Sequence, residues 1–242
     1  MKAIEIKNLT KKYKDCIAVN GLTLDIEKGE LFSLLGINGA GKTTVVKMLS
    51  CLVKANGGDA LLLGNSINTD ENAVKSLIGI SPQETAIAPG LSVKENLELM
   101  CGIYGFGKEE TKDKILNITQ KFSLCEVLNK RASKLSGGYQ RRLSIAMALI
   151  GEPKILFLDE PTLGLDVIAR SELWKMIEEL KGKITIILTT HYMEEAQALS
   201  DRVGIMKNGN LIALGTVNEL KEKSGKETFE EAFITLVKEA RI

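Results

Sequence analysis

A chain of 242 residues is long enough to bury a full core, and 44% hydrophobic with 26% charged side chains is the make-up of an ordinary globular protein. Lys and Arg number 32 against 31 Asp and Glu, a balance that disfavours a nucleic-acid binder, because a phosphate backbone is gripped by an excess of basic residues. Cys16, Cys51, Cys101 and Cys125 form no C-x-x-C pair, which argues against a zinc site or a disulfide framework, and no apolar run has the length of a membrane span or signal peptide.

From Lys2 to Leu9, Ile4 and Ile6 alternate with Glu5 and Lys7, and further on Leu22, Leu24 and Ile26 alternate with Thr23, Asp25 and Glu27. Both segments read as half-exposed antiparallel strands. Leu31 to Leu35 is different, a nearly continuous apolar run of the kind found where a parallel strand is covered on both faces. It leads into Gly36-Ile37-Asn38-Gly39-Ala40-Gly41-Lys42-Thr43, which matches G-x-x-x-x-G-K-[ST], and then into a helix expected over Lys42 to Leu52. In that context backbone N–H groups wrap a β-phosphate, Lys42 neutralises charge, Thr43 offers a hydroxyl to Mg²⁺ and Thr44 one to the α-phosphate.

Ser92-Val93-Lys94-Glu95 carries the pattern of a capping box and opens a mostly helical stretch from 92 to 150. Within it, Leu135-Ser136-Gly137-Gly138-Tyr139-Gln140 precedes a helical run, Arg141 to Ile150. Local physics reads this as a capped helix start or as a second anion cradle at a helix N-terminus. One nucleotide does not need two cradles from one chain, so the second would serve the nucleotide of another subunit packed head to tail.

Ile155-Leu156-Phe157-Leu158-Asp159-Glu160 is an apolar strand ending in two carboxylates, of which Asp159 is assigned to the metal and Glu160 to the attacking water. A third buried strand, Ile184 to Leu188, runs through Thr189-Thr190 to His191, the only histidine. Ligands of open parallel sheets bind beyond the carboxyl ends of the strands, where Gly36, Asp159 and His191 all lie. His191 is expected to hydrogen-bond a γ-phosphate and to hold the water and Glu160 in line. Asn208-Gly209 between Val203–Met206 and Leu211–Leu214 marks a tight hairpin, and an amphipathic tail runs from Glu227 to Ala240.

In order and spacing these motifs resemble the nucleotide-binding subunit of ABC transporters, from residue 2 to about residue 220. The resemblance adds Gln83, in Ser81-Pro82-Gln83, and the loop Gly164-Leu165-Asp166. It implies an α/β fold: a P-loop NTPase (RecA-like) parallel core sheet with an antiparallel β subdomain over 1–88 and 153–220. An α-helical insertion subdomain over 89–152 and a C-terminal helical tail over 221–242 complete one nucleotide-binding domain. By the same resemblance Gln83 contacts Mg²⁺ and couples to the membrane partner, Ser136 and Gly138 touch the partner's γ-phosphate with Gly137 in the same nucleotide-binding set, and Asp166 lies at the dimer seam. Tyr13 stacks on adenine. ATP is held by Gly36, Asn38, Gly39, Ala40, Gly41, Lys42, Thr43 and Thr44; Mg²⁺ is held by Thr43, Gln83 and Asp159; and Lys42, Glu160 and His191 are catalytic.

The stretch Thr190-His191-Tyr192-Met193-Glu194-Glu195-Ala196, continued by Asp201-Arg202 and Leu214-Gly215-Thr216, is similar to the ABC-2 type drug and polysaccharide export branch. Val167 and Ile37 stand where that family often has proline, which removes no catalytic group. The expected protein is an ATPase subunit on the cytoplasmic face of the cell membrane, pairing with a second ABC ATPase subunit, identical or not. It would drive export through separate transmembrane permease subunits, which dock on the region from Glu84 to Ser92, and no nucleic acid is expected. The alternative is a soluble ABC ATPase acting as an assembly or scaffold factor.

Overall fold

The computed structural model describes residues 1–14 and 16–240, and the alternating pattern at its start becomes a hairpin of β1 (Lys2–Tyr13) and β2 (Cys16–Glu27). Ile4 pairs with Ile26 and Ile6 with Leu24, so the apolar residues of both strands share one buried face. β3 (Leu31–Leu35), buried at every position, feeds the glycine loop and then α1 (Lys42–Leu49). β4 (Gly57–Leu62) and the short β5 (Asn65–Ser66) complete an antiparallel sheet in the order β2-β1-β4-β5.

After α2 (Glu71–Leu77), β6 (Ile78–Ser81) returns to the parallel layer. The helical stretch is built from α3 (Val93–Ile103), α4 (Lys108–Lys121) and α5 (Gly137–Leu149). The capping box at the head of α3 is present: Ser92 Oγ accepts from Glu95 N at 3.2 Å and Glu95 Oε2 accepts from Ser92 N at 2.7 Å. Then come β7 (Ile155–Asp159), α6 (Val167–Glu178), β8 (Thr185–Thr190), α7 (Met193–Leu199), β9 (Arg202–Lys207), β10 (Asn210–Gly215), α8 (Val217–Ser224) and α9 (Phe229–Glu239). Asn208 and Gly209 take φ of 46° and 77°, the left-handed pair a two-residue hairpin needs between β9 and β10.

Among the described residues the second sheet runs β10-β9-β3-β8-β7-β6, parallel throughout except where β10 pairs with β9. Its continuous apolar strands serve two cores. Ile155, Phe157 and Ile187 pack with α1 and the antiparallel sheet, whereas Leu156, Leu158, Ile186 and Leu188 pack with α3 to α6 on the other face. Leu35, Val203 and Ile205 meet α7, α8 and α9 at the edge. Because β3, β8 and β7 are neighbours in this order, the loops leaving their carboxyl ends converge on one place.

The C-terminal part of the loop that joins β6 to α3 is held by the buried side chain of Asn96. Asn96, fully buried, accepts from Ala88 N at 2.7 Å and donates to Ala88 O at 3.1 Å and Ser92 O at 2.9 Å. Asn96→Ala leaves Ala88 N without its partner, whereas Ala88 O and Ser92 O keep Leu91 N and Asn96 N; at roughly 1–3 kcal/mol per buried group left unpaired the expected loss is about 1–3 kcal/mol. Urea unfolding of the two proteins measures it.

Candidate nucleotide site

The glycine loop is shaped by what surrounds it. A Cβ on Gly36 would stand 2.5 Å from Met206 O, and one on Gly41, at φ 102°, would stand 2.2 Å from Ala18 O, so neither position admits a side chain. Lys42 folds back across the loop, donating to Gly36 O at 2.7 Å and Ile37 O at 3.3 Å. The same ammonium lies 3.2 Å from Glu160 Oε1, and both side chains are only 6% exposed.

Two strands supply the remaining groups. At the end of β7, Asp159 Oδ1 accepts from Thr43 Oγ1 at 3.1 Å and from Thr189 Oγ1 on β8. Thr189 Oγ1 in turn accepts from Glu160 N at 3.1 Å, and Thr189 O accepts from the same N–H at 3.1 Å. These bonds hold Glu160 at φ 49°, a left-handed conformation that costs a non-glycine residue about 1–2 kcal/mol. His191 Nδ1 sits 2.7 Å from Glu160 Oε2. Glu160 therefore meets the ammonium with one oxygen and the imidazole with the other.

One cleft gathers Tyr13, Asn38 to Thr44, Gln83, Glu160 and His191. Gly36 and Asp159 lie just beneath it, bonded to Lys42 and Thr43 respectively. Tyr13 is 43% exposed at the rim, with Lys11 Nζ 5.1 Å from its ring centre. Cys16, Ala18 and Leu163 also line the cleft, and nothing in the sequence pattern singles them out.

Ser136, Gly137, Gly138 and Asp166 lie outside that cleft. The helix behind them begins at Gly137 rather than at Arg141, so both glycines belong to its first turn. Ser136 is its N-cap residue but makes no side-chain capping bond, which leaves an exposed hydroxyl beside the helix N-terminus. A Cβ on Gly138 would lie 3.2 Å from Ala169 Cβ, placing the start of α5 against the start of α6. There Asp166 Oδ1 caps α6 by accepting from Ile168 N at 3.0 Å and Ala169 N at 2.9 Å.

Two contributors carry no motif in the sequence. Arg141, 4% exposed, donates to Pro82 O at 2.6 Å and to Gln83 O at 2.7 Å, fixing the loop that carries Gln83. Burial lowers its pKa, and the charges of Asp159 and Glu195 act in the opposite direction. The available signal is a helix whose consecutive arginines, 141 and 142, are both buried. Thr189 is the other, and its signal is a hydroxyl at the end of an apolar strand.

Among the described residues no three His, Cys, Asp or Glu side chains gather as a protein-built metal cage. Mg²⁺ asks for less: it retains waters and binds through one or two carboxylates together with phosphate oxygens. A hydroxyl from Thr43 bonded to the carboxylate of Asp159, with Gln83 on the same cleft, is a donor set of that sparse kind.

Comparison with known proteins gives the family and the fold. The ABC transporter family model matches residues 19–163, and the chain belongs to that family, as an ATP-binding cassette of P-loop NTPase fold. It is 38% identical over 240 residues to the probable multidrug ABC transporter ATP-binding protein YbhF of Escherichia coli, a match covering 97% of this chain and 41% of that protein. It is also 38% identical over 229 residues to the daunorubicin resistance ATP-binding protein DrrA3 of Streptomyces coeruleorubidus, covering 94% of this chain and 72% of that one. The chain thus spans less than half the length of the Escherichia coli relative. Among solved structures, a dimeric bacterial ABC transporter cassette superposes with a TM-score of 0.80 at 27% identity, over 88% of this chain and 98% of that one. The same cassette has been solved as a dimer in a post-hydrolysis state bound to ADP and Pi.

Gly41→Ala forces a Cβ against the Ala18 carbonyl and an L-residue into φ 102°. The expected result is loss of ATP binding by at least about tenfold, a penalty of about 1.4 kcal/mol or more, with the fold retained. Titration with a fluorescent ATP analogue, alongside circular dichroism, measures both.

Proposed function

We propose that the chain hydrolyses MgATP at the interface of a head-to-tail dimer and so powers export through separate transmembrane permease subunits. The observation that carries this reading is the separation of two phosphate-binding elements. Lys42, Glu160 and His191 meet on one cleft, while Ser136 to Gly138 present a helix N-terminus and an unspent hydroxyl outside it. A nucleotide seated on the first element of one subunit is completed by the second element of its partner. Val167 and Ile168, 78% and 73% exposed beside Asp166, are the apolar surface such a seam would cover.

The chemistry follows from the side chains in place. Lys42 neutralises phosphate charge, and Thr43, Asp159 and Gln83 hold the metal. Mg²⁺ supplies neutralisation of the charge that develops on the phosphate oxygens. Glu160 takes the proton of the attacking water, and His191 keeps the carboxylate in line through Nδ1 while Nε2 reaches the γ-phosphate. Tyr13 at the rim receives the adenine. The relatives named for multidrug transport and daunorubicin resistance support the export branch, and the solved relative caught as a dimer with ADP and Pi supports hydrolysis at a dimer seam.

Among the described residues no helix is long and apolar enough to cross a membrane. The permease contact therefore falls on the surface. A largely apolar groove formed by Leu52, Ile80, Ala86, Met100 and Tyr104 adjoins the loop from Glu84 to Ser92, and Leu52 is 64% exposed there. Arg141 holds the backbone at Pro82 and Gln83, where this loop leaves the nucleotide cleft. The chain would then sit on the cytoplasmic face of the membrane.

Glu160→Gln keeps the shape of the side chain and removes the base, so turnover should fall by roughly 10²–10⁴ while ATP still binds. With ATP the variant should run as a dimer in size-exclusion chromatography with light scattering; a monomer at saturating ATP would count against the shared site. Leu52→Glu should leave basal ATPase activity within about twofold, as expected for an exposed residue remote from the cleft, yet abolish co-purification with membranes.

A further inference from the structure

We infer that Glu195 is a positioning residue of the hydrolytic centre: it joins the loop that carries His191 to the turn after Glu160, and Trp174 holds it in place. The inference rests on the ATPase function and adds a residue to it.

Glu195 lies in the first turn of α7 and is completely buried. Its Oε1 accepts from Trp174 Nε1 of α6 at 3.0 Å. The hydroxyls of Thr190, which directly precedes His191, and of Thr162, two residues beyond Glu160, face the same carboxyl. Glu195 Oε2 and Thr162 Oγ1 are nevertheless both buried without a hydrogen bond. Two unpaired polar atoms on facing elements, a costly arrangement for buried groups, describe a joint with a second, better-bonded position. A small shift of the turn at 160–162 pairs them. That turn carries Glu160 in its left-handed conformation, so the joint bears on the direction of the Glu160 carboxylate without touching the phosphate loop.

The charges facing Glu195 are Glu160 from the end of β7 and Arg141 from α5, while Trp174 on α6 is neutral. Burial, together with the like charge of Glu160, raises the pKa of Glu195. The protonated carboxyl can donate from Oε2 to Thr162 while Oε1 still accepts from Trp174. A glutamine reproduces both roles, and an alanine reproduces neither. Because the folded-state pKa is raised, the stability that Glu195 contributes is complete below the unfolded pKa and is lost as pH rises through the folded one.

Trp174 is the sole tryptophan of the chain, so its emission reports on Glu195 directly. The experiment measures steady-state ATPase activity, Trp174 emission and melting temperature against pH for the full chain and for Glu195→Gln, Glu195→Ala and Thr162→Val. Glu195→Gln should keep kcat within about threefold, and its melting temperature should gain on the unmodified protein as pH rises. Glu195→Ala should shift Trp174 emission and lower kcat by about tenfold or more with KM for ATP unchanged, as expected when only transition-state alignment is lost. Thr162→Val should lower kcat likewise with Trp174 emission preserved in the absence of nucleotide, which keeps the test open if Glu195→Ala does not fold. Unchanged kcat in Thr162→Val, or equal loss in Glu195→Gln and Glu195→Ala, overturns the inference. If the unmodified chain hydrolyses no ATP, the ATPase function fails instead, and the pH response of Trp174 emission still tests the joint.

Discussion

The contact on which the rest of the site depends is the ion pair of Lys42 with Glu160, both nearly withdrawn from water. A buried pair of this kind is poor evidence of stability, since desolvation of two charges offsets most of their attraction. Its value lies in position. Lys42 comes from the loop after β3 and Glu160 from the end of β7, while His191, from the strand between them, grips the other carboxylate oxygen. The parallel order of three neighbouring strands is thereby converted into one fixed arrangement of an ammonium, a carboxylate and an imidazole. Breaking either contact would leave a charge buried beside Asp159 and loosen a turn already held in an unfavourable backbone conformation.

The same frame separates the two anion-binding elements on which the proposed dimer site rests. Every group converging at the strand ends faces one cleft, and the helix start at Ser136 to Gly138 is held elsewhere, against α6. Asp166 spends its carboxylate on capping α6, the close approach of Gly138 to Ala169 sets the start of α5 beside it, and Val167 and Ile168 are exposed next to the cap. In the proposed dimer this helix start with its apolar border would meet the nucleotide held by the other subunit. Arg141, anchored to the backbone at Pro82 and Gln83, gives α5 a direct hold on the loop between the nucleotide cleft and the apolar groove.

Much of this is legible in the sequence because each feature has its own periodicity or spacing. Leu31–Leu35, interrupted only by Ser33, and residues 155–158 announce themselves by nearly continuous hydrophobicity, which the two cores on opposite faces account for. β4 does not: Gly57-Gly58-Asp59 lacks the alternation of a strand, and its pairing with β1 is set by a neighbour remote in sequence. β8 extends two residues beyond its apolar run because Thr189 and Thr190 are buried by bonding rather than by hydrophobicity. The start of α5 is hidden for a related reason, since two glycines disfavour a helix locally and are admitted because Gly138 faces Ala169. Lys42, Glu160 and His191 can be named from motif context, but the φ of Glu160 and the relay through Thr189 emerge only in three dimensions.

The central claim is that one catalytic site is assembled from two chains, and complementation between two inactive variants tests it most directly. Lys42→Ala removes the first cradle and Ser136→Glu spoils the second, so each variant alone should be inactive. In a head-to-tail dimer of the two, one site carries both lesions and the other carries none. The account predicts that mixing equal amounts restores ATPase activity, to roughly a quarter of the unmodified level if chains pair at random. A mixture as inactive as its components would show that each chain completes its own site.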